Sequence, residues 1–187
     1  MQIEFQILDA LQKIHTPVLD GVMCLITSLG NAGIIWILLT IALLINPKIR
    51  RTKEGTACRL FGESGRRSGC ILLAALILDL ILCNGILKNL FHRVRPYDIR
   101  TSIELLVKRP LDYSFPSGHT AASFTAVVAL SFAGEKRAWK AALVLACLIA
   151  FSRMYPTDVL GGVLVGILAG YGGYRVVKAL EQYKKEK

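Results

Sequence analysis

The sequence predicts an all-α, polytopic membrane protein, a bundle of six transmembrane helices preceded by an N-terminal amphipathic helix. The prediction rests first on composition, because 53% of the 187 residues are hydrophobic and 19% are charged, against about a quarter charged in soluble proteins. It rests second on patterning, because the apolar residues form long blocks and the charged residues collect between them. A lipid bilayer is therefore the expected solvent, and the length predicts one domain, residues 1–187.

The charge and the cysteine content exclude several other classes of protein. A net charge of +10 would suggest a nucleic-acid partner for a soluble protein, but no basic stripe interleaved with aromatic residues is present, so we expect none. The five cysteines are an odd number without CxxC or Cys/His pairing, which indicates neither a metal site nor a disulfide framework. We expect no metal and no cofactor.

The chain begins with an amphipathic segment and two short apolar segments. Residues 3–14 carry apolar side chains at helical spacing with charged residues between them, which is typical of a helix lying on the membrane surface, although packing in a protein core fits equally. Residues 17–29 and 32–46 are apolar and are separated by Gly30 and Asn31. Each is shorter than the roughly 20 residues of a full span, so we expect both to depend on neighbouring helices or on a locally thinner bilayer.

A basic loop and the strongest spanning segment follow. Residues 48–69 are polar and rich in glycine and arginine, which predicts a loop on the membrane surface. Residues 70–91 are long and apolar, although they contain Asp79 and Asn84. A charged carboxylate at mid-membrane costs about 2.5–3.5 kcal/mol on insertion scales. We therefore expect Asp79 to face protein or to be protonated, with a role in packing or in a helix–helix hydrogen bond rather than in catalysis.

The second half of the chain contains a polar loop and three further helical segments. The loop covers residues 92–117. The helical segments are predicted over residues 118–133, 139–154 and 158–180, separated by short joints marked by glycine, charge or proline. Residues 181–187 form a basic tail.

The distribution of basic residues orients the chain in the membrane. If the 48–69 loop is cytoplasmic, alternation of six helices places sixteen of the 23 lysines and arginines inside, which satisfies the positive-inside rule. The 181–187 tail is then cytoplasmic and the 92–117 loop is extracytoplasmic. We therefore expect a multi-pass protein of the cell membrane.

Three polar clusters fall on the extracytoplasmic side of this arrangement. The first is KNLFHRVRP, in which Lys88 and Arg95 are seven residues apart. Seven residues are about two helical turns, which would place both cations on one face if the helix continues to Pro96. Cations that snorkel from a helix end are the common alternative.

The second cluster is FPSGHT, at the predicted start of the 118–133 helix. Proline and small residues in a first turn expose backbone N–H groups, and the helix dipole there favours an anion. The amides of Ser117 and Gly118 are therefore candidate anion donors, and His119 beside them can give a proton near neutral pH. A helix cap or a hydrogen-bonded structural histidine is the alternative.

The third cluster is SRMYPTD, where one predicted helix ends and the next begins. Arg153 offers the planar guanidinium that binds phosphate through two donors. Asp158 fits a helix N-cap and a catalytic carboxylate equally well. Together the three clusters predict a cage of cations and N–H donors around a phosphoryl group, with His119 as its acid.

The segments KNLFHRVRP, FPSGHTAAS and SRMYPTDVLGG resemble the three signature motifs of the type 2 phosphatidic acid phosphatase family. Its membrane members dephosphorylate lipid phosphates, and its soluble relatives include vanadium haloperoxidases. The resemblance covers residues 1–180, and the first two motifs match the family patterns K-x6-RP and PSGH in full. It implies a metal-independent phosphatase whose partner is a phosphorylated lipid, such as phosphatidate or undecaprenyl diphosphate.

The resemblance also implies a role for each residue that matches a motif. The phosphate would be held by Lys88, Arg95, Ser117, Gly118 and Arg153. His119 would protonate the leaving group, and Asp158 would orient the histidine that attacks phosphorus.

The third motif is shorter than the family pattern. The pattern SR-x5-H-x3-D has nine residues between the arginine and the aspartate, whereas four separate Arg153 from Asp158. The five missing positions fall between Tyr155 and Pro156 and include the nucleophilic histidine. His92 lies in the first motif, where the family has no nucleophile, and is a poor substitute. Three possibilities stay open: a lipid phosphatase without its nucleophile, a non-catalytic binder or carrier of phosphorylated lipids, or an edited or defective copy of an active enzyme.

The predicted orientation can be tested by thiol labelling. With the intramembrane cysteines replaced, Cys58 and Cys70 should react with a membrane-impermeant thiol reagent only after the cytoplasmic face is opened. Labelling of either residue in intact cells would reverse the topology and move the three polar clusters to the inside.

Overall fold

A computed structural model describes residues 33–45, 65–95, 112–151 and 156–187, together with the single positions Gln6 and Gly21. These residues form helices and short connections, and the described part of the chain contains no strand. The helices are α1 (Ile34–Ile45), α2 (Gly65–Phe91), α3 (Gly118–Ala133), α4 (Ala138–Phe151) and α5 (Pro156–Glu186). The all-α prediction is confirmed for these residues.

Helix α2 changes its hydrogen-bond pattern along its length. It is α-helical over Gly65–Asp79, π-helical over Leu80–Leu87 and α-helical again over Lys88–Phe91. The backbone N–H of Lys88 donates to the carbonyl of Cys83, five residues earlier, which is the spacing of a π-helix.

Five of the six predicted spanning segments correspond to helices α1 to α5. The predicted segment 17–29 and the amphipathic helix 3–14 lie outside the described residues except for the single positions Gly21 and Gln6. Among the described helices, α2 and α5 are long and apolar enough to cross a membrane, whereas the others are shorter apolar helices.

The prediction that residues 48–69 form a loop is wrong for the last five of them, because α2 begins at Gly65. Two of the polar side chains there have partners elsewhere in the bundle, which a single sequence does not reveal. Arg67 donates from Nε to Glu181 Oε1 on α5 at 2.8 Å, and Ser68 donates to Glu135 Oε1 at 2.7 Å. A Cβ on Gly69 would come within 2.9 Å of the Leu44 side chain on α1. Glycine and arginine here serve helix contacts rather than a loop.

Asp79 faces protein, as expected from the cost of exposing a carboxylate to lipid. Its relative exposure is 5%. Its Oδ1 has no hydrogen-bond partner among the described residues, so this oxygen does not form the helix–helix hydrogen bond that we considered.

Helix α5 packs against α3 through a row of glycines spaced four residues apart. A Cβ on Gly162 would lie 2.7 Å from the carbonyl oxygen of Ser117, and one on Gly166 would lie 2.6 Å from that of Ala121. The helices run in the same direction, because both contact positions advance together along the chain. Glycine removes the side chain at these points and lets the two backbones touch.

The same helix packs against α2 in the opposite direction. A Cβ on Gly173 would lie 2.5 Å from the backbone nitrogen of Ala75, and one on Gly172 would lie 3.0 Å from Leu78. The carboxyl end of α2 therefore lies at the same end of the bundle as the first turns of α3 and α5. This is the end that carries the candidate site.

Helix α1 is tied to the start of α3 by polar contacts. Trp36 Nε1 donates to Ser123 Oγ at 3.1 Å, and Ser123 Oγ donates to the carbonyl of His119 at 2.7 Å. Both Trp36 and Ser123 are buried. The first turn of α3 is thus held from two sides, by α1 and by α5.

The glycine contact between α3 and α5 predicts the effect of adding one methyl group. Gly166→Ala should destabilise the folded protein by about 1–3 kcal/mol, the usual cost of overpacking, because backbone atoms rather than flexible side chains oppose the new Cβ. Thermal unfolding in detergent micelles would measure the change. The matched control is Gly85→Ala, where the nearest atom to a new Cβ lies at 3.9 Å. Equal melting temperatures for the two variants would contradict the proposed close contact.

Candidate functional site

Three chain segments meet at one end of the bundle. They are the end of α2 with the four residues after it, the segment from Asp112 to Ser117 that leads into α3, and the first turn of α5. The three sequence motifs lie in or next to these segments, so the described parts of the motifs do converge.

Lys88 and Arg95 do not share a helical face, because the helix does not continue to Pro96, as that arrangement requires. Helix α2 ends at Phe91, and His92 adopts a left-handed conformation with φ of 45°, which turns the chain away from the helix axis. The two cations nevertheless approach each other, because both bind the carboxylate of Asp112.

Asp112 is held by three donors from these two cations. Arg95 Nη2 donates to Oδ1 at 2.5 Å, Arg95 Nε donates to the backbone carbonyl at 2.8 Å, and Lys88 Nζ donates to Oδ2. Burial alone would raise the pKa of Asp112, but the hydrogen bonds and charges of Lys88 and Arg95 outweigh it and hold this pKa below its ordinary value. The ion pairs therefore persist at neutral pH and are lost only when acid protonates the carboxyl group.

The start of α3 lies directly beside Lys88. A Cβ on Gly118 would come within 3.4 Å of Lys88 Nζ, so glycine leaves room for the ammonium group at the helix start. The first intrahelical hydrogen bond runs from the Ala121 N–H to the Ser117 carbonyl at 2.9 Å. The amides before Ala121 therefore precede the helical ladder, as at any helix N-terminus.

Ser117 takes a different role from the one expected. Its N–H donates to the carbonyl of Asp158 at 3.0 Å, so in this structure that amide is used by the protein and does not face the cationic cluster as an anion donor. Its hydroxyl lies 2.9 Å from Thr120 Oγ1. Gly118, the first residue of α3, remains as the amide beside Lys88. The His119 side chain is partly buried.

Asp158 is the third residue of α5 and does not act as its N-cap, which removes that interpretation. Its side chain is almost fully buried. Oδ1 accepts a hydrogen bond from Arg93 Nη1 at 2.5 Å, and Oδ2 accepts one from Ser114 Oγ. Arg93 Nη1 also donates to Thr157 Oγ1 at 2.5 Å. An arginine and a serine thus bind the carboxylate to which the family resemblance assigns a histidine.

Arg153 and the position of the family's nucleophile both lie outside the described residues. Arg153 lies in residues 152–155, outside the described chain. Counting back four residues from Asp158, the spacing of the nucleophile in the family pattern, leads to Met154 in the same segment. His92 is exposed, and its ring packs edge-on against Tyr113 with centroids 4.6 Å apart.

Sequence reasoning missed Arg93, Asp112 and Ser114. Arg93 carried a weak signal, since it is a further cation two residues before Arg95. Asp112 is an acidic residue four positions before the PSGH segment, close in sequence to a predicted anion site, where a carboxylate is unexpected. Ser114 carried no signal.

Comparison with known proteins extends the likeness beyond the motifs. The profile of the PAP2 superfamily matches residues 68–182. An undecaprenyl-diphosphatase of Sulfolobus acidocaldarius is 28% identical over 177 residues, which cover 89% of this chain and 77% of that protein. The crystal structure of LpxE from Aquifex aeolicus is 28% identical, with a TM-score of 0.69 over 91% of this chain and 94% of that one.

A second crystal structure supports the fold. A transmembrane PAP2 type phosphatidylglycerolphosphate phosphatase from Bacillus subtilis is 24% identical and has a TM-score of 0.67 over 97% of this chain and 86% of that one. The superfamily match covers well over half of the sequence, and two described helices are long enough to cross a bilayer. The chain is therefore a membrane protein of the PAP2 superfamily.

Proposed function

We propose that the protein binds the phosphate end of a membrane lipid, a phospholipid or an isoprenoid phosphate or diphosphate, in a site built for phosphoryl transfer. The observation that carries this proposal is the convergence of Lys88 and Arg95 on one anion beside the first turn of α3. Two cations and a helix N-terminus form an environment that suits a phosphate group.

The proposed roles follow the positions of the residues. Lys88 and Arg95 neutralise the phosphate, the amide of Gly118 donates to one of its oxygens, and Arg153 adds a second guanidinium. His119, the next residue of α3, is the proposed acid for the leaving oxygen. Asp158 is proposed to hold the first turn of α3 and the end of the first motif in place, through its contacts with Ser117 and Arg93.

In the mechanism that the family implies, a histidine attacks phosphorus and displaces the lipid oxygen, which takes a proton from His119. Water then cleaves the phosphohistidine. This chain has three histidines, His15, His92 and His119, and none stands at the spacing of the nucleophile. We therefore propose that hydrolysis by this route is absent or very slow, and that phosphate binding remains.

A non-catalytic binder or carrier of phosphorylated lipids is the second candidate. The observation that favours it is that both carboxylate oxygens of Asp158 already accept hydrogen bonds, one from Arg93 and one from Ser114. A carboxylate held in this way has no need of a histidine to complete its hydrogen bonds.

Among lipids, undecaprenyl diphosphate is the first that we propose, because one relative is named an undecaprenyl-diphosphatase. Phosphatidate is the second. We also propose six membrane spans with the site on the extracytoplasmic face, as the distribution of basic residues predicts.

The cationic site predicts a loss of anion affinity on substitution. Arg95→Ala or Arg153→Ala should weaken binding of a lipid phosphate or of vanadate by about 1.5–3 kcal/mol, the range for hydrogen bonds to charged groups. Lys88→Arg should also weaken it, since a guanidinium does not fit the space of an ammonium group beside Gly118. Isothermal titration of the purified protein would measure the affinities. Arg66→Ala, an exposed position at the far end of α2, is the control, and unchanged affinity in both arginine variants would refute the site.

The shortened third motif predicts that activity can be restored. Five residues turn a helix by about 500°, a net 140°, and lengthen it by about 7.5 Å, so Arg153 and Asp158 cannot both keep family-like positions unless the joint before α5 absorbs the difference. The unaltered chain should show little or no turnover of undecaprenyl diphosphate or phosphatidate. A variant with a five-residue apolar insertion between Tyr155 and Pro156, with histidine in its fourth place, should hydrolyse at least one of these two lipids.

The matched control for this experiment is the same insertion with glutamine in the fourth place, which restores the length without the nucleophile. Phosphate release is the readout. Turnover by the unaltered chain that depends on His119 would reveal another nucleophile and contradict the proposed mechanism. Inactivity of the histidine insertion, with anion binding intact, would favour the binder.

A further inference from the structure

A carboxylate of the protein itself lies at the centre of the cationic cluster. Asp112 receives hydrogen bonds on both of its side-chain oxygens, one from Arg95 at 2.5 Å and one from Lys88. Its backbone carbonyl receives a third, from Arg95 Nε at 2.8 Å. The two cations assigned to the phosphate thus share one anion that belongs to the chain.

The Asp112 carboxylate and a lipid phosphate would require the same donors. Lys88 Nζ lies at the start of α3, within 3.4 Å of a Cβ built on Gly118, and Arg95 binds the other oxygen of the same carboxylate. A phosphate held by Lys88, Arg95 and the Gly118 amide would have to take the place of the Asp112 oxygens.

Exposure differs between the carboxylate and its cations. The side chain of Asp112 is 49% exposed, whereas those of Lys88 and Arg95 are 12% and 21% exposed. Asp112 is therefore the member of the cluster that can turn into water while the cations stay in place. The neighbouring Arg93–Asp158 pair is different, because its carboxylate is 5% exposed and is also bound by Ser114.

We propose that Asp112 is an internal occupant of the phosphate site, which a lipid phosphate displaces when it binds. Asp112 then sets the affinity and selects for ligands with a strongly charged phosphate end. A phosphomonoester or diphosphate end carries more charge and more acceptor oxygens than one carboxylate, so it competes well for the same donors. A ligand with a single negative charge, such as a carboxylate or a phosphodiester, competes poorly. This inference rests on the proposed function and adds a selectivity residue to the same site.

The first test compares Asp112→Asn with the unaltered full-length protein in detergent micelles, with inorganic phosphate and orthovanadate as probes. The amide keeps the shape of the side chain and removes its charge. Asp112→Asn should bind either anion about tenfold more tightly, between the effect of an exposed ion pair and that of a charged hydrogen bond. It should also melt at a lower temperature without anion and gain more in melting temperature when anion is added.

Two controls separate this effect from a change in net charge. Glu186→Gln makes the same charge change at the far end of α5, and its anion affinity should equal that of the unaltered protein. In an Arg95→Gln background the gain from Asp112→Asn should shrink, because the two residues share one contact. Equal or weaker anion binding by Asp112→Asn would show that Asp112 merely holds the cations in place, and would overturn the inference.

A second measurement uses the unaltered protein, so that it does not depend on the folding of a variant. A water-soluble carbodiimide with glycinamide converts accessible carboxylates to amides, which peptide mass spectrometry can count. Phosphate should raise the labelling of Asp112 relative to that of Glu186, because the displaced carboxylate enters water. A constant or reduced ratio would overturn the inference.

The outcomes also separate this inference from the proposed function. Anion binding by the unaltered protein without a gain in Asp112→Asn would refute the inference alone. Absence of anion binding in both proteins would refute the proposed function together with it.

Discussion

The direct backbone contact between α5 and α3 determines where the candidate site residues lie. Gly162 and Gly166 bring α5 onto the carbonyl oxygens of Ser117 and Ala121, so the two first turns are held at the same level. The Ser117 N–H can then reach the Asp158 carbonyl. The contact of Gly173 with Ala75 adds α2 to the same arrangement and brings Lys88 to the start of α3. In a bilayer, where apolar side chains gain little by leaving lipid for protein, such close packing is a main source of helix association.

Ion pairs at the two ends of the bundle differ in what they contribute. Arg67 and Glu181 are each more than a third exposed, and an exposed pair of this kind contributes about 0–1 kcal/mol. Their contact mainly fixes the register of α2 against α5. Arg93 and Asp158 are better shielded from water, and loss of one partner of a buried pair typically costs about 3–5 kcal/mol. The Arg93–Asp158 pair is therefore more tightly constrained than the Arg67–Glu181 pair at the opposite end.

The helices were predictable because apolar blocks and helix-start signals are local properties of the sequence. The start of α3 at Gly118 follows from the PSGH segment, and the structure places it there. The partners of the charged residues were not predictable. Arg93 and Arg95 reach different carboxylates because His92, which is not a glycine, adopts a positive φ, and nothing in the sequence signals that turn.

The same limit applies to the residues that face the site from other helices. Asp112 meets Lys88 only because the end of α2 and the segment before α3 are brought together by packing between α2, α3 and α5. Residues 65–69 were assigned to a loop on composition, although Gly69 contacts α1 and Arg67 binds Glu181 on α5. Composition reports the properties of a segment, whereas these contacts depend on which helices become neighbours.

The π-helical stretch of α2 changes the side of the helix on which the residues after it lie. Each backbone hydrogen bond there spans one residue more than in an α-helix, and the side-chain Nδ2 of Asn89 donates to the Gly85 carbonyl at 2.9 Å beside the transition. An α-helix turns about 100° per residue, so an extra residue in the backbone pattern shifts every later side chain around the axis. Lys88 follows this stretch directly. A helical wheel drawn from Gly65 at regular α periodicity would therefore assign Lys88 to the wrong side of α2.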